Sequence, residues 1–338
     1  MQRLMNTTTM ILFLSSSARI RIGHAFRAGC PLQRCSFHSS TSCQLNRFLF
    51  DPSEVISEGD GNCEPATPTV ILPKDDYRTI HAAKTLGLHN GDTVRAGLVS
   101  CNDHDGLLTD EASIQWIPEG NVKKAEPLGN GDPPGSISIR LDNLQAPASS
   151  DKLLVSLILA LPRPLQLARM LPMISQMGVD HLVLTRSRKV PKDYFGSHLF
   201  RKPEVMREKI IEGLCQAGDV RLPQLHIVKN LRGFLDDDLD HLFPRDTYAR
   251  VIAHPQRAGD TREPLRMGQI EFPTTSPPRV VIAVGPEGGW EEPDELERFQ
   301  ELGFQQITLG TRTLRSDCAV VSLLSLANEV CVEREDKQ

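Results

Sequence analysis

Two short segments of this 338-residue chain carry residue types that chemistry can use. The first is Gly285-Pro286-Glu287-Gly288-Gly289, set directly after the apolar run Val280–Val284. Glycines at the carboxyl end of a buried strand let backbone N–H and C=O groups approach a ligand with no side chain in the way. Gly288 is the position expected to need that approach. The segment has neither the lysine of a phosphate-cradling loop nor the glycine spacing of a dinucleotide site. By itself it serves equally as a tight turn or as a ligand loop. The second segment is Leu309-Gly310-Thr311-Arg312-Thr313-Leu314-Arg315-Ser316-Asp317-Cys318-Ala319. It lies between a short strand at Gln306–Leu309 and an apolar helix expected over Cys318–Val330. Arg312 and Arg315 can supply positive charge to a developing anion, and Asp317 can accept a proton or orient an arginine. Taken alone, the same residues read as a surface ion pair with Asp317 capping the helix.

A third group is basic: Arg186, Arg188, Lys189, Lys192, Arg201 and Lys202, interleaved with Tyr194, Phe195 and Phe200. Such charges suit an RNA backbone and such rings can stack a base. A solvated loop is the plain alternative. His81, His89 and His104 have no ligand partners at useful spacing, and the five cysteines beyond residue 50 form no C-x-x-C, so no metal site is expected. The acidic run Asp236–Asp240 reads as a solvated helix face, and Trp290 as core packing or a cover over a ligand.

These segments need a frame. From Lys152 onward apolar strands alternate with helices, the pattern of an α/β domain with a mainly parallel sheet, here assigned to residues 151–332. Leu153–Leu161 is apolar throughout, as a strand covered on both faces must be. Leu165–Met177 has helical spacing and ends at Gly178. Upstream, residues 69–146 read as a small β-rich domain, with a helix capped by Asp75 or Asp76 and the turn Asn90-Gly91-Asp92. Residues 51–68 read as a linker.

Residues 1–50 contain six arginines, many Ser and Thr, and no acid, which is the composition of a transit peptide. The expected address is the mitochondrion, with the chloroplast as the alternative. The apolar run Met10–Leu14 is too short to span a bilayer. The whole chain carries a formal charge of −5, and without those six arginines the remainder carries −11. That balance excludes nonspecific coating of nucleic acid and requires any RNA contact to be a local basic face.

The pair of motifs, GPEGG and then, after a helix and a strand, L-G-x-R-x-L-R-[S/T]-[E/D]-x-A, resembles the small-subunit ribosomal RNA uridine-N3 methyltransferases of the SPOUT superfamily. The resemblance spans roughly Val70–Val330. It implies a PUA-like β-barrel followed by a trefoil-knotted α/β domain, S-adenosylmethionine as cofactor, ribosomal RNA of the small subunit as substrate, and a homodimer. It implies a cofactor pocket made by the loop at Ala253-His254-Pro255, by Gly285, Pro286, Glu287, Gly288 and Gly289, and by Leu309, Gly310 and Leu314. Arg315, Asp317 and Arg312 become the catalytic candidates, with Arg315 expected to matter more than Arg312. Asp317 and Cys318 stand where family members usually have Glu and Thr. A SPOUT enzyme with another RNA target, or a non-catalytic organellar assembly factor that binds ribosomal RNA, would share the fold. The intact motifs speak against the second.

Overall fold

The computed structural model describes residues 47–56, 67–100, 106–119, 127, 131–148, 153–256 and 263–337. Within them lie two six-stranded sheets. The first contains β1 (Phe48–Phe50), β2 (Val55–Ile56), β3 (Thr69–Leu72), β4 (Thr93–Leu98), β5 (Leu107–Pro118) and β6 (Gly135–Arg140), in the order β1-β4-β5-β6-β3-β2. Its pairings are antiparallel except that of β1 with β4. Alternate residues face inward, as the two-residue period of a half-buried strand demands. Ile137 and Ile139 of β6 thus join Trp116, Val70 and Phe50 in a core of their own. Helix α1 (Tyr77–His81) begins at Asp76, whose carboxylate accepts the Arg78 backbone N–H at 2.8 Å.

The chain enters this sheet earlier than its composition suggests. Phe48, Leu49 and Phe50 are buried in β1, although a leader was expected to reach residue 50. Arg47 is buried too, donating to the carbonyls of Ala96 at 3.1 Å and Thr109 at 2.8 Å. A compositional boundary counts this arginine with the leader, whereas its role is set by carbonyls that lie 49 and 62 residues away in sequence. The linker expected over 51–68 likewise contains β2. The rest of the expected leader, residues 57–66, and His104 lie outside the described residues.

The second sheet holds β7 (Val155–Ala160), β8 (Val179–Thr185), β9 (Gln224–Val228), β10 (Tyr248–Ala253), β11 (Arg279–Val284) and β12 (Gln305–Ile307). Its order is β12-β10-β11-β7-β8-β9, and every pairing is parallel. The α/β class expected from the apolar runs is therefore present. The helices are α2 (Pro164–Gln176), α3 (His198–Arg201), α4 (Pro203–Ala217), α5 (Leu231–Gly233), α6 (Leu239–Leu242), α7 (Asp294–Glu301) and α8 (Ser316–Glu335). Helix α2 opens on Pro164, whose fixed φ suits a first helical position, and packs on α4, where the Ser175 hydroxyl donates to the Ile210 carbonyl at 2.8 Å.

The two sheets belong to one compact unit. The Arg47 N–H donates to the Cys215 carbonyl at 3.0 Å, the Ser100 N–H donates to the Val220 carbonyl at 2.8 Å, and Arg207 pairs with Asp51. The acidic run at 236–240 is tied to the fold rather than merely solvated. Asp236 binds Arg298, and Asp240 binds the buried Arg250. Trp290 is fully buried, its ring 4.7 Å from that of Phe299, so core packing is its role. No helix among the described residues is long and apolar enough to cross a membrane.

Candidate functional site

Three neighbouring strands, β12, β10 and β11, end side by side, and the loops that follow them meet. A parallel sheet directs its strand ends, with their backbone N–H and C=O groups, to one edge, which is where such sheets bind ligands. Here they enclose a cavity of about 160 Å³. Ala253 ends β10, and His254 and Pro255 follow it; Gly285, Pro286, Glu287 and Gly289 follow β11; Leu309, Gly310, Arg312 and Leu314 follow β12. The structure thus gathers ten of the eleven expected pocket residues around one space. A second cavity of about 670 Å³ adjoins it and shares Pro255, Thr308, Gly310, Arg312 and Thr313.

The exception is Gly288, which does not line the cavity. It faces outward, and a Cβ placed there would sit 3.3 Å from the Lys189 Cδ. The glycines whose lack of a side chain matters to the cavity are its neighbours. Gly289 adopts φ +69°, a conformation that side-chain-bearing residues avoid. Gly285 packs so closely on the next turn of chain that a Cβ would lie 3.1 Å from the Trp290 nitrogen. In a five-residue motif, composition does not tell which glycine faces the ligand.

His254 is 3 % exposed, and its Nε2 lies 2.6 Å from Glu292 Oε1. This contact ties the β10 loop to the segment after Trp290. The Ser316 hydroxyl is also buried at the cavity wall, and it has no hydrogen-bond partner among the described residues. Sequence reasoning passed over Ser316, whose only signal was its place inside the second motif. A buried hydroxyl is costly to leave unbonded, and one at a cavity wall can bond water or a polar ligand.

The catalytic candidates separate. Arg312 lines both cavities and forms no ion pair among the described residues. Arg315 lies outside them, with its side chain 68 % exposed, bonded to Asp317 at 3.0 Å and to Gln166 at 3.3 Å. Arg312, expected to matter less than Arg315, is thus the arginine that the structure places at the cavities. Asp317 is not the helix cap either: α8 starts at Ser316, and the Asp317 carboxylate lies in its first turn, where it complements the helix dipole.

Of the basic group, Arg201 and Lys202 are exposed and Arg186 is half-buried; none of the three forms an ion pair among the described residues. Arg188 and Lys189 are engaged elsewhere. Arg188 pairs with Asp294 at 2.8 Å, and the Lys189 ammonium donates to the carbonyls of Gly288 at 3.1 Å and Trp290 at 3.0 Å. A separate groove of about 640 Å³ lies between the first sheet and α4. Its arginines, Arg47 and Arg78, already bind acids of their own domain, which leaves them little charge to offer a ligand.

A wholly parallel sheet with a glycine-walled cavity at three adjacent strand ends, and in its wall an arginine with no ion pair among the described residues, is the arrangement of a ligand-binding α/β domain. Residues 149–328 match the family model described as an RNA methyltransferase domain, more than half of the chain, and the chain belongs to that family. Among curated relatives, ribosomal RNA small subunit methyltransferase E of Treponema pallidum is 30 % identical over 172 residues, covering 49 % of this chain and 60 % of that protein. The protein of the same name from Mesomycoplasma hyopneumoniae is 46 % identical over 50 residues, 15 % of this chain and 22 % of that one. The matched regions thus span under two thirds of these relatives. Among solved structures, the Neisseria gonorrhoeae ribosomal RNA small subunit methyltransferase E bound to S-adenosylmethionine has a TM-score of 0.56 at 20 % identity, covering 85 % of this chain and 98 % of that one. A probable rRNA methyltransferase from Porphyromonas gingivalis gives 0.54 at 17 % identity, over 77 % and 93 %. At these identities the likeness establishes the fold.

Proposed function

We propose that this protein transfers a methyl group from S-adenosylmethionine to N3 of a uridine in the small-subunit ribosomal RNA of the mitochondrion. The observation that carries the reading is the cavity at the ends of β12, β10 and β11, built from both sequence motifs at once. The residues present fit the cofactor. Gly285, Gly289 and Gly310 leave backbone groups accessible, and the Ser316 hydroxyl, without a partner among the described residues, is free to bond a polar ligand. The first cavity opens beside the larger one, and small-molecule sites run to roughly 300–1,000 Å³.

S-adenosylmethionine, when bound, supplies an electrophilic methyl group. The protein's work is to align the acceptor with it and to keep water out. Uracil N3 bears a proton in the neutral base, so the site must favour the anion that remains when the proton leaves. Arg312, which lines both cavities and forms no ion pair among the described residues, provides that positive charge. Asp317 holds Arg315 at the rim and, as a carboxylate, is the nearby candidate to accept the proton. Arg186, Arg201 and Lys202 offer cations to the RNA backbone, and the first sheet is read as the PUA-like module that holds the RNA. The knotted path of the final helix is part of the same reading.

The homodimer belongs to it as well, through apolar side chains that one subunit leaves exposed rather than through the buried face of α8. Val320, Leu323, Leu324 and Ala327 are each at most 1 % exposed, because they fill the core of this subunit. Among the apolar side chains left outside are Leu165 on α2, Leu314 before α8, and Leu326 and Val332 on α8, exposed by 80, 41, 43 and 54 %. Such side chains favour burial against a second copy. Sedimentation at micromolar concentration should give a dimer that Leu165→Glu weakens, and a monomeric wild type would overturn the assembly.

One experiment tests substrate and address together. Ribosomal RNA from mitochondria and from cytosol, with and without the protein, is digested and read by mass spectrometry. One N3-methyluridine should vanish from the mitochondrial small-subunit RNA. Loss confined to cytosolic RNA overturns the address, loss of another methylated nucleotide overturns the N3 assignment, and no loss overturns the enzyme.

A further inference from the structure

The loop after β8 reaches over the end of β7 to grip the turn after β11, since β7 lies between those two strands. The grip has several parts. The Lys189 ammonium donates to the Gly288 carbonyl at 3.1 Å and the Trp290 carbonyl at 3.0 Å, and lies 3.7 Å from the Glu291 carboxylate. The Glu295 carboxylate accepts the Arg188 backbone N–H at 2.7 Å with one oxygen and the Glu291 N–H at 2.8 Å with the other. Both carbonyls held by Lys189 flank Gly289, the residue with positive φ that lines the cavity.

From this geometry we infer that Lys189 is a positioning residue for cofactor binding: it touches no ligand, and it sets the Gly288–Trp290 backbone that forms one wall of the pocket. The inference rests on reading that turn as the cofactor wall. The two peptide groups that Lys189 holds, Gly288–Gly289 and Trp290–Glu291, bracket Gly289, where the missing side chain leaves the backbone free to turn and the Gly289 N–H donates to the Pro286 carbonyl at 2.8 Å. Trp290, buried against Phe299, anchors the turn from within. Lys189 anchors it from without, through bonds that are strong because the donor is charged. The lysine is two-thirds buried along its side chain, so a methionine of similar length can occupy the same path and leave the carbonyls to water. The fold then survives while the wall loses its preferred shape, and the cost falls on the ligand that must restore it.

The test uses the full chain and two binding measurements. Lys189→Met should weaken S-adenosylmethionine binding by calorimetry about ten- to hundredfold, as expected for losing bonds from a charged donor. Its affinity for a small-subunit ribosomal RNA fragment should be unchanged. With cofactor saturating, its methyl-transfer rate should approach that of the wild type, so that KM for the cofactor moves and kcat does not. Lys189→Arg, which keeps a charged donor, should restore most of the affinity. Lys189→Gln, with one neutral donor, should fall between, and it serves in place of Lys189→Met if that variant does not fold. Unchanged cofactor affinity in a folded Met or Gln variant overturns the inference. So does a loss of RNA affinity with cofactor affinity intact, which would return Lys189 to the RNA face. A wild-type protein that does not bind S-adenosylmethionine overturns the proposed function itself, which separates the two failures.

Discussion

Gly285→Val should weaken S-adenosylmethionine binding by about ten- to hundredfold while the protein remains folded. Gly285 leaves β11 and passes so close to the following turn that an added Cβ would meet the Trp290 nitrogen at 3.1 Å and the Gly289 carbonyl carbon at 3.3 Å. Both are backbone atoms, so no side-chain rotation relieves the contact. Overpacking of this kind costs about 1–3 kcal/mol. The strand behind Gly285 is buried and paired on both sides, whereas the turn ahead of it has one face on the cavity. The strain is therefore released by moving the turn, and the moved turn no longer matches the ligand. At about 1.4 kcal/mol per tenfold change, the stated range follows. Gly288→Val, by contrast, should disturb Lys189 more than the cavity, since Gly288 faces outward. Calorimetry with circular dichroism as the folding control decides the matter. A folded Gly285→Val protein with wild-type affinity would place the cofactor elsewhere.

Arg312→Ala should lower the single-turnover methylation rate about ten- to thousandfold with cofactor saturating, the range usual for a preorganised charge at a developing anion. Arg312 lines the wall between the two cavities and has no ion-pair partner among the described residues, so its charge is available to a substrate. Arg315→Ala should lower the rate by less. Its guanidinium already binds Asp317 and Gln166, and it lines neither cavity, so less of its charge reaches a substrate held there. Arg312→Lys should fall between wild type and Arg312→Ala, because it keeps the charge and loses the planar fork. Rapid-quench methylation of the RNA fragment by the three variants gives the order. A larger loss for Arg315→Ala would show that Arg315 reaches the reacting base in the RNA-bound state and that Arg312 is peripheral.

The sequence by itself determined the class of the second domain and the stretch of chain on which its chemistry would sit. Runs such as Val280–Val284 are apolar at every position, and only a strand covered on both faces tolerates that. The two motifs are contiguous in the chain, so their residue types, and the strand or helix that borders them, could be read directly. Their roles were a different matter. Which glycine faces the ligand depends on local backbone angles and on what packs behind each residue, and this moved the close approach from Gly288 to Gly285 and Gly289. Which arginine faces the cavity depends on how the loop between β12 and α8 turns, and this favoured Arg312 over Arg315. Partnerships across the sheet were the least legible. Lys189 meets the carbonyls of Gly288 and Trp290 from 99 and 101 residues away, and Arg47 meets Thr109 from 62. No periodicity carries that information, because it arises only when the strand order places β8 one strand beyond β7 and β1 against β4. The same holds for α8. Its apolar face was evident in the sequence, but whether it meets this subunit's core or a second copy is set by how the helix lies on the sheet, and it lies inward.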